Sequence, residues 1–233
     1  MGRLLIINQS TIIMKKTHPN NTEKRQIIFL SLSTFICLCL SLFRMYYTKT
    51  FTYFFLNWNL LLAIIPWILS RLAIHNQFKH RFYDISLICI WLLFFPNAPY
   101  ILTDLFHLKL HSTVPIWFDL VLILSFAWVG LIAGFISLSN IGKIICVKFN
   151  VSNSGIYQSI LLFISSFGIY LGRFLRWNSW DIIAQPHQLI HDIFIRFAYP
   201  FDHPATWGMT ITMGLFLNLS FWSFKFLNHH NSI

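Results

Sequence analysis

Charge is what this sequence has least of: charged residues make up 10% of its 233 positions, and only seven are acidic. A soluble domain carries about a quarter charged residues, so a water-covered globule is excluded. Cysteine is sparse as well. Cys37, Cys39 and Cys89 fall inside apolar runs and Cys146 in an expected inner loop. With no pair on an exported loop and no C-x-x-C, neither a disulfide framework nor thiol chemistry is expected. There is no Walker loop, no dinucleotide fingerprint, no G-x-S-x-G elbow and no H-E-x-x-H, so no cofactor is implied. No ionisable residue stands at the centre of an apolar run in the manner of a proton pump. Internal repeats and low-complexity segments are absent from the sequence. Leu4 to Ile7 is too short for the apolar core of a signal peptide, and no small-residue cleavage site follows it.

What the chain has is apolar length. Hydrophobic residues reach 56%, with 25 Phe and 9 Trp, in long runs that recur from end to end, the pattern of membrane spans. The expectation is an all-α polytopic transmembrane helix bundle of about six spans with one interfacial amphipathic helix. It divides into a flexible basic cytoplasmic arm over 1–26, a six-span transmembrane domain over 27–226 and a short C-terminal tail over 227–233. Spans are expected near 27–43, 51–69, 83–95, 116–138, 156–175 and 206–226, the second kinked at Pro66. Between 187 and 199, Leu189, Ile190, Ile193, Phe194 and Phe197 form a stripe at helical spacing, opposite His187, His191, Asp192 and Arg196. That pattern, opened by Pro186, predicts a helix lying in the interface. Gly130 with Gly134 and Gly168 with Gly172 are small-xxx-small pairs; they signal either a tight contact between the fourth and fifth spans or chance spacing.

The net charge is +10. On a membrane protein this marks cytoplasmic loops rather than a nucleic-acid partner. Placing the N-terminus inside puts eleven of the 17 Lys and Arg on the cytoplasmic side and six outside. The expectation is therefore a multi-pass protein of the cell membrane with both termini in the cytoplasm.

Against that trend, Arg173 and Arg176 fall at an outer end. Three apart, they are expected on one helix face. Asp104, Asp119, Asp181 or an anionic ligand would compensate them. Two readings stand: an internal salt bridge that locks the bundle, and a ligand site. Pro96-Asn97-Ala98-Pro99 removes two backbone donors, so the third span should break there, against protein or a water-filled cavity. If the helix resumes, Asp104, His107 and His111 share a face at i, i+3 and i+7, a carboxylate–imidazole set that suits a divalent metal. His187 and His191 repeat a helical spacing, but in a chain with 10 His such pairs are frequent, and no metal site is assigned.

These same segments carry a resemblance. Phe95-Pro96-Asn97-Ala98-Pro99-Tyr100, Thr103-Asp104-Leu105, His107-Leu108, Val114-Pro115-Ile116-Trp117-Phe118-Asp119, the run from Tyr170 to Asp181, and His203-Pro204 with Trp207-Gly208 together resemble the bacterial family catalogued as domain of unknown function 1361. In that family the fourth motif usually looks like Trp-Tyr-Asp. The resemblance implies a multi-pass protein of a bacterial membrane and no particular activity. Residue by residue it favours Asn97, Tyr100, Asp104, His107, Asp119, Arg173, Arg176, Asn178 and Asp181, and it does not include His111, His187 or His191. The preferred reading is an outward-facing polar pocket for an anionic, headgroup-like ligand, with Trp177 and Trp180 at headgroup level. The lipid bilayer, and an anionic lipid headgroup in it, are the expected partners. One alternative is a membrane-embedded enzyme using Asp104, His107 and Asp119 as acid, base or metal ligands. The other is a non-catalytic scaffold that binds another membrane protein.

Overall fold

The computed structural model describes residues 21–75, 81–108, 114–149 and 153–230. Lys15, Lys16, Lys79, His80, Lys109 and His111 lie outside them. The described chain is α-helical, with no strand among the described residues. The long helices are α1 (Asn21–Thr48), α2 (Phe55–His75), α3 (Arg81–Phe94), α5 (Ile116–Phe149), α6 (Gly155–Phe174) and α9 (Pro204–His230). Short pieces lie between them: α4 (Asn97–Tyr100) with a 3₁₀ segment (Ile101–His107), α7 (Asp181–Ala184), and α8 (Pro186–Ala198) with a 3₁₀ turn (Pro200–Asp202).

Five segments are long and apolar enough to cross a membrane: Asn21–Thr48, Phe55–His75, Ile85–His107, Ile116–Lys148 and Gly155–Phe174. The chain is thus a multi-pass membrane protein. The helix expected as a sixth span forms as α9. It is long enough at 27 residues, but Thr210, Thr212, Asn218 and Lys225 hold its apolar content below that of the other five.

Several expected boundaries move. Helix α1 begins at Asn21, inside the expected arm, and runs on to Thr48, which places Arg44 within it. Helix α2 runs past the expected end of its span to His75 and so contains Arg71, which pairs with Glu23 in the first turn of α1 at 3.0 Å. Helix α5 continues to Phe149, so Cys146, Lys143 and Lys148 are helical rather than in a loop. At 1.5 Å per residue its 34 residues extend about 50 Å, well beyond the roughly 30 Å hydrocarbon layer.

Helix α5 is the mast of the bundle. Its apolar window is 67% buried, against 17% for α1. Its Leu122, Ile123, Phe126 and Ala133 pack with Leu30 and Cys37 of α1, Leu56, Leu60 and Ala63 of α2, and Ala98 and Ile101 of the broken segment. On the other side Phe135, Leu138 and Ile141 pack with Trp91 of α3 and Phe95 just after it, Leu162 and Ile169 of α6, and Leu217 and Phe221 of α9. The large apolar residues left exposed, such as Ile28, Leu32 and Phe35 on α1, suit contact with acyl chains.

The two glycine pairs do not meet each other. Both face the broken segment. A Cβ on Gly130 would stand 2.8 Å from the Ala98 carbonyl oxygen, and one on Gly134 2.9 Å from the Ala98 Cβ. From the opposite side, a Cβ on Gly168 would stand 2.8 Å from Pro96 Cγ, and one on Gly172 3.1 Å from the Tyr100 ring. The glycines therefore cut two notches, one on α5 and one on α6, and the segment from Pro96 to Ile101 is clamped between them. Of the two readings of the glycine spacing, direct contact between the pairs on α5 and α6 is not what the glycine positions make; each pair instead faces the broken segment.

Gly130→Ala and Gly168→Ala should each lower the thermal unfolding midpoint in detergent, by an overpacking cost of about 1–3 kcal/mol. Gly208→Ala, where an added Cβ meets nothing within 4 Å, should leave the midpoint unchanged in the same assay.

Candidate functional site

Pro96 and Pro99 take two amide donors out of the third span, and a carbonyl left bare at membrane depth is costly. The structure supplies replacements. The Asn97 side-chain amide donates to the Phe94 carbonyl at 2.9 Å and to Ser179 Oγ at 3.1 Å. Ser179 Oγ in turn donates to the Leu93 carbonyl at 3.0 Å. Ser179 belongs to the Arg-Trp-Asn-Ser-Trp-Asp run after α6, so one part of that run mends the break. Asn97 is thus a backbone staple, and its amide hydrogens are used internally.

One turn further on, the chain tightens to a 3₁₀ helix from Ile101 to His107 and leaves it extended at Leu108 (ψ 119°). Of the face expected from Asp104, His107 and His111, His111 lies outside the described residues, and the other two stand on 3₁₀ rather than α-helical backbone. With three residues per turn, Asp104 and His107 eclipse each other instead, and both point at Arg173. Arg173 Nε donates to Thr103 Oγ1 at 2.8 Å, Nη2 donates to Asp104 Oδ1, and Nη1 lies 2.8 Å from His107 Nε2. A guanidinium only donates, so His107 Nε2 accepts and its ring proton sits on Nδ1. Asn59 of α2 donates to the second Asp104 oxygen at 2.8 Å. The guanidinium lies 4.5 Å over the Tyr100 ring, whose other flank meets Gly172. Asp104 is 1% exposed in its side chain and Arg173 10%.

Asp119, in the first turn of α5, pairs elsewhere. Arg44 of α1 grips it with Nε to Oδ1 at 3.0 Å and Nη2 to Oδ2 at 3.3 Å, and the side chains are 4% and 0% exposed. Arg44 Nη1 also donates to Thr50 Oγ1 at 3.0 Å. The Arg44 guanidinium rests 4.4 Å over the Tyr53 ring, and the Tyr53 hydroxyl donates to the His107 carbonyl at 3.1 Å. Tyr53 and His107 therefore join the two arginine–aspartate pairs into one layer that touches α1, α2, the broken span, α5 and α6. Arg44, Tyr53, Asn59, Thr103 and Ser179 were not singled out from the sequence. Arg44 alone left a signal, as a cation at the end of an apolar run on the side poor in Lys and Arg.

Arg173 and Arg176 do not share a face. Helix α6 ends at Phe174, and Arg176 takes a left-handed backbone (φ 62°). The Trp177 amide closes that end by donating back to the Leu171 carbonyl at 3.1 Å. Arg176 is exposed and has no side-chain partner among the described residues. Asp181 is turned onto its own loop, accepting from the Asn178 amide at 2.7 Å and from its side chain at 3.2 Å. Trp180 is 44% exposed. Trp177 Nε1 donates to Asp192 of α8 at 2.8 Å. Trp177, His187, Gln188, His191 and Asp192 line an open groove of about 460 Å³.

Helix α8 forms as expected, with one difference. Arg196, expected on its polar side, is 8% exposed and donates to Asp192 Oδ1 at 3.4 Å. Leu189 is buried, and the outer edge of the apolar stripe is Ile190, Phe194 and Phe197. Phe197 packs with Phe167 of α6 and Trp207 of α9, which seats α8 across those two helices. Among the described residues no three His, Cys, Asp or Glu side chains converge as a metal set.

The layer of paired charges predicts large single-site effects. Asp119→Leu alone leaves Arg44 buried and uncompensated and should destabilise the protein by about 3–5 kcal/mol. Arg44→Met with Asp119→Leu should recover most of that loss, read by thermal unfolding in detergent; a double-variant loss equal to the sum of the two single-variant losses would show that the pair is not coupled.

Comparison with curated proteins finds no match. Comparison with solved structures finds none. The family described as Protein of unknown function (DUF1361) matches residues 58–220, from α2 into α9, a stretch that holds the broken span, Asp104, Asp119, Arg173 and the run from Trp177 to Asp181, and the chain belongs to that family.

Proposed function

We propose that this membrane protein engages an anionic lipid headgroup at the end of the bundle where Arg176 and Trp177 emerge, and that this end faces away from the cytoplasm. The observation that carries the reading is Arg176 itself: an exposed cation with no partner among the described residues, held by a left-handed helix cap next to an indole and a groove. Arg173, first in line for that role from sequence, directs Nε, Nη1 and Nη2 at Thr103, His107 and Asp104 and serves as frame. Asn97, Tyr100, Asp104, His107 and Asp119 belong to the frame as well, while Asn178 and Asp181 shape the loop that carries Arg176 and Trp177. The orientation is supported by the count of basic residues along the sequence: with the N-terminus inside, eleven of the 17 Lys and Arg are assigned to the cytoplasmic side. Acid–base chemistry on Asp104 and His107 is disfavoured, since Arg173 occupies both.

The test is lipid retention. In nanodiscs of phosphatidylcholine with phosphatidylglycerol, wild type should carry phosphatidylglycerol into native mass spectra. Arg176→Ala should lose it roughly tenfold, the worth of one charge-assisted hydrogen bond, with an unchanged unfolding midpoint because the side chain is exposed. Equal retention by wild type and Arg176→Ala would reject the reading.

A further inference from the structure

We infer that the groove between Trp177 and α8 reads hydroxyl groups, so that the headgroup is a phosphate ester carrying a polyol, such as a glycosyl or inositol head, rather than a bare phosphate or an amine. The inference rests on the anionic-headgroup reading and names its ligand class.

Three observations on the groove carry it. First, its wall is a mixed donor and acceptor set: the Gln188 amide, the His187 and His191 imidazoles one helical turn apart, and the Asp192 carboxylate. Hydroxyls both donate and accept, and they match such a set; a quaternary ammonium offers neither and prefers an aromatic cage, whereas this groove has one indole. Second, Asp192 is already neutralised and fixed. Oδ2 accepts from Trp177 Nε1 at 2.8 Å, and Oδ1 accepts from Arg196 Nη1 at 3.4 Å. A carboxylate balanced by a buried arginine has no net charge left for an ammonium head, but it keeps lone pairs for hydroxyls. Third, the same two bonds lock the Trp177 ring against α8, and a held indole face is a platform for the C–H side of a sugar or inositol ring. Arg176, the preceding residue, supplies the cation for the phosphate.

The source of that head is a lipid. Ile190, Phe194 and Phe197 on the outer edge of α8 and Ile183 on α7, which is 85% exposed, form an apolar margin beside the groove. Such a margin sinks into the acyl boundary of a bilayer and sets the groove at headgroup depth.

The experiment compares phosphatidic acid, phosphatidylinositol and phosphatidylcholine at equal mole fraction in nanodiscs, reading retained lipid by native mass spectrometry. Phosphatidic acid carries at least as much negative charge as phosphatidylinositol, so charge alone favours phosphatidic acid. Wild type should hold phosphatidylinositol about fivefold better than phosphatidic acid, the worth of one added hydrogen bond. Gln188→Ala and His191→Ala, both exposed positions, should bring phosphatidylinositol down to the phosphatidic acid level and leave phosphatidic acid unchanged. Arg176→Ala should lower both. Retention of phosphatidylinositol no better than phosphatidic acid in wild type would overturn the hydroxyl inference and leave the headgroup reading standing. Retention of phosphatidic acid no better than phosphatidylcholine would overturn the headgroup reading itself. Displacement of phosphatidylinositol by equimolar soluble inositol 1-phosphate would overturn the lipid source.

Discussion

Backbone carbonyls in a hydrocarbon layer have no water to turn to, and the described bundle is arranged around the proline pair that leaves carbonyls of the third span without helical donors. Pro96 and Pro99 interrupt a span that must still cross the membrane. The break survives because Asn97 and Ser179 donate to the carbonyls of Phe94 and Leu93, and because glycines on α5 and α6 let the irregular segment lie between two flat faces. Without both notches the segment has no place between α5 and α6; without the side-chain donors the space alone would leave bare carbonyls.

From that break the charged layer follows. The chain emerges from Tyr100 as a 3₁₀ helix, which eclipses Asp104 and His107, and only then can one guanidinium engage both together with Thr103. The second pair, Arg44 with Asp119, joins through the Tyr53 ring and hydroxyl. Buried ion pairs add little net stability compared with apolar packing of the same volume, so this layer is better understood as a device of registry: it fixes which turn of each helix faces which. It also separates two roles. Charges that are buried and paired form the frame, and the exposed surface that the frame holds still, with Arg176, Trp177 and α8, is where a ligand has access.

Much of this was legible in the residues. Long apolar segments were expected as six spans, and five meet the length and apolarity of one; the break at the proline pair and the helix at Pro186–Ala198 followed from residue type and periodicity, and Asp104 and Arg173 stood out as charges at span ends. The partners did not, because they are set by tertiary contact. Ser179 lies 82 residues from Asn97, and Arg44 lies 75 from Asp119; no local pattern links them. The spacing rule misled at one point. Arg176 stands three residues after Arg173, but the helix stops between them. Helical periodicity was carried past the end of the helix, and that end is set by a turn that the hydrophobic pattern does not encode. The glycine spacing left close contact and chance both open, and only the structure identifies the broken segment as what approaches.

The account stands on the broken segment being held as firmly as a regular span. Hydrogen–deuterium exchange of the protein in lipid nanodiscs measures this directly on peptides covering 93–107. Exchange there as slow as in the middle of α5 is the result the account predicts. Exchange as fast as in the loop from Leu175 to Trp180 would contradict it, because a segment that opens freely cannot position Asp104 and His107 for Arg173 or hold the surface beyond them.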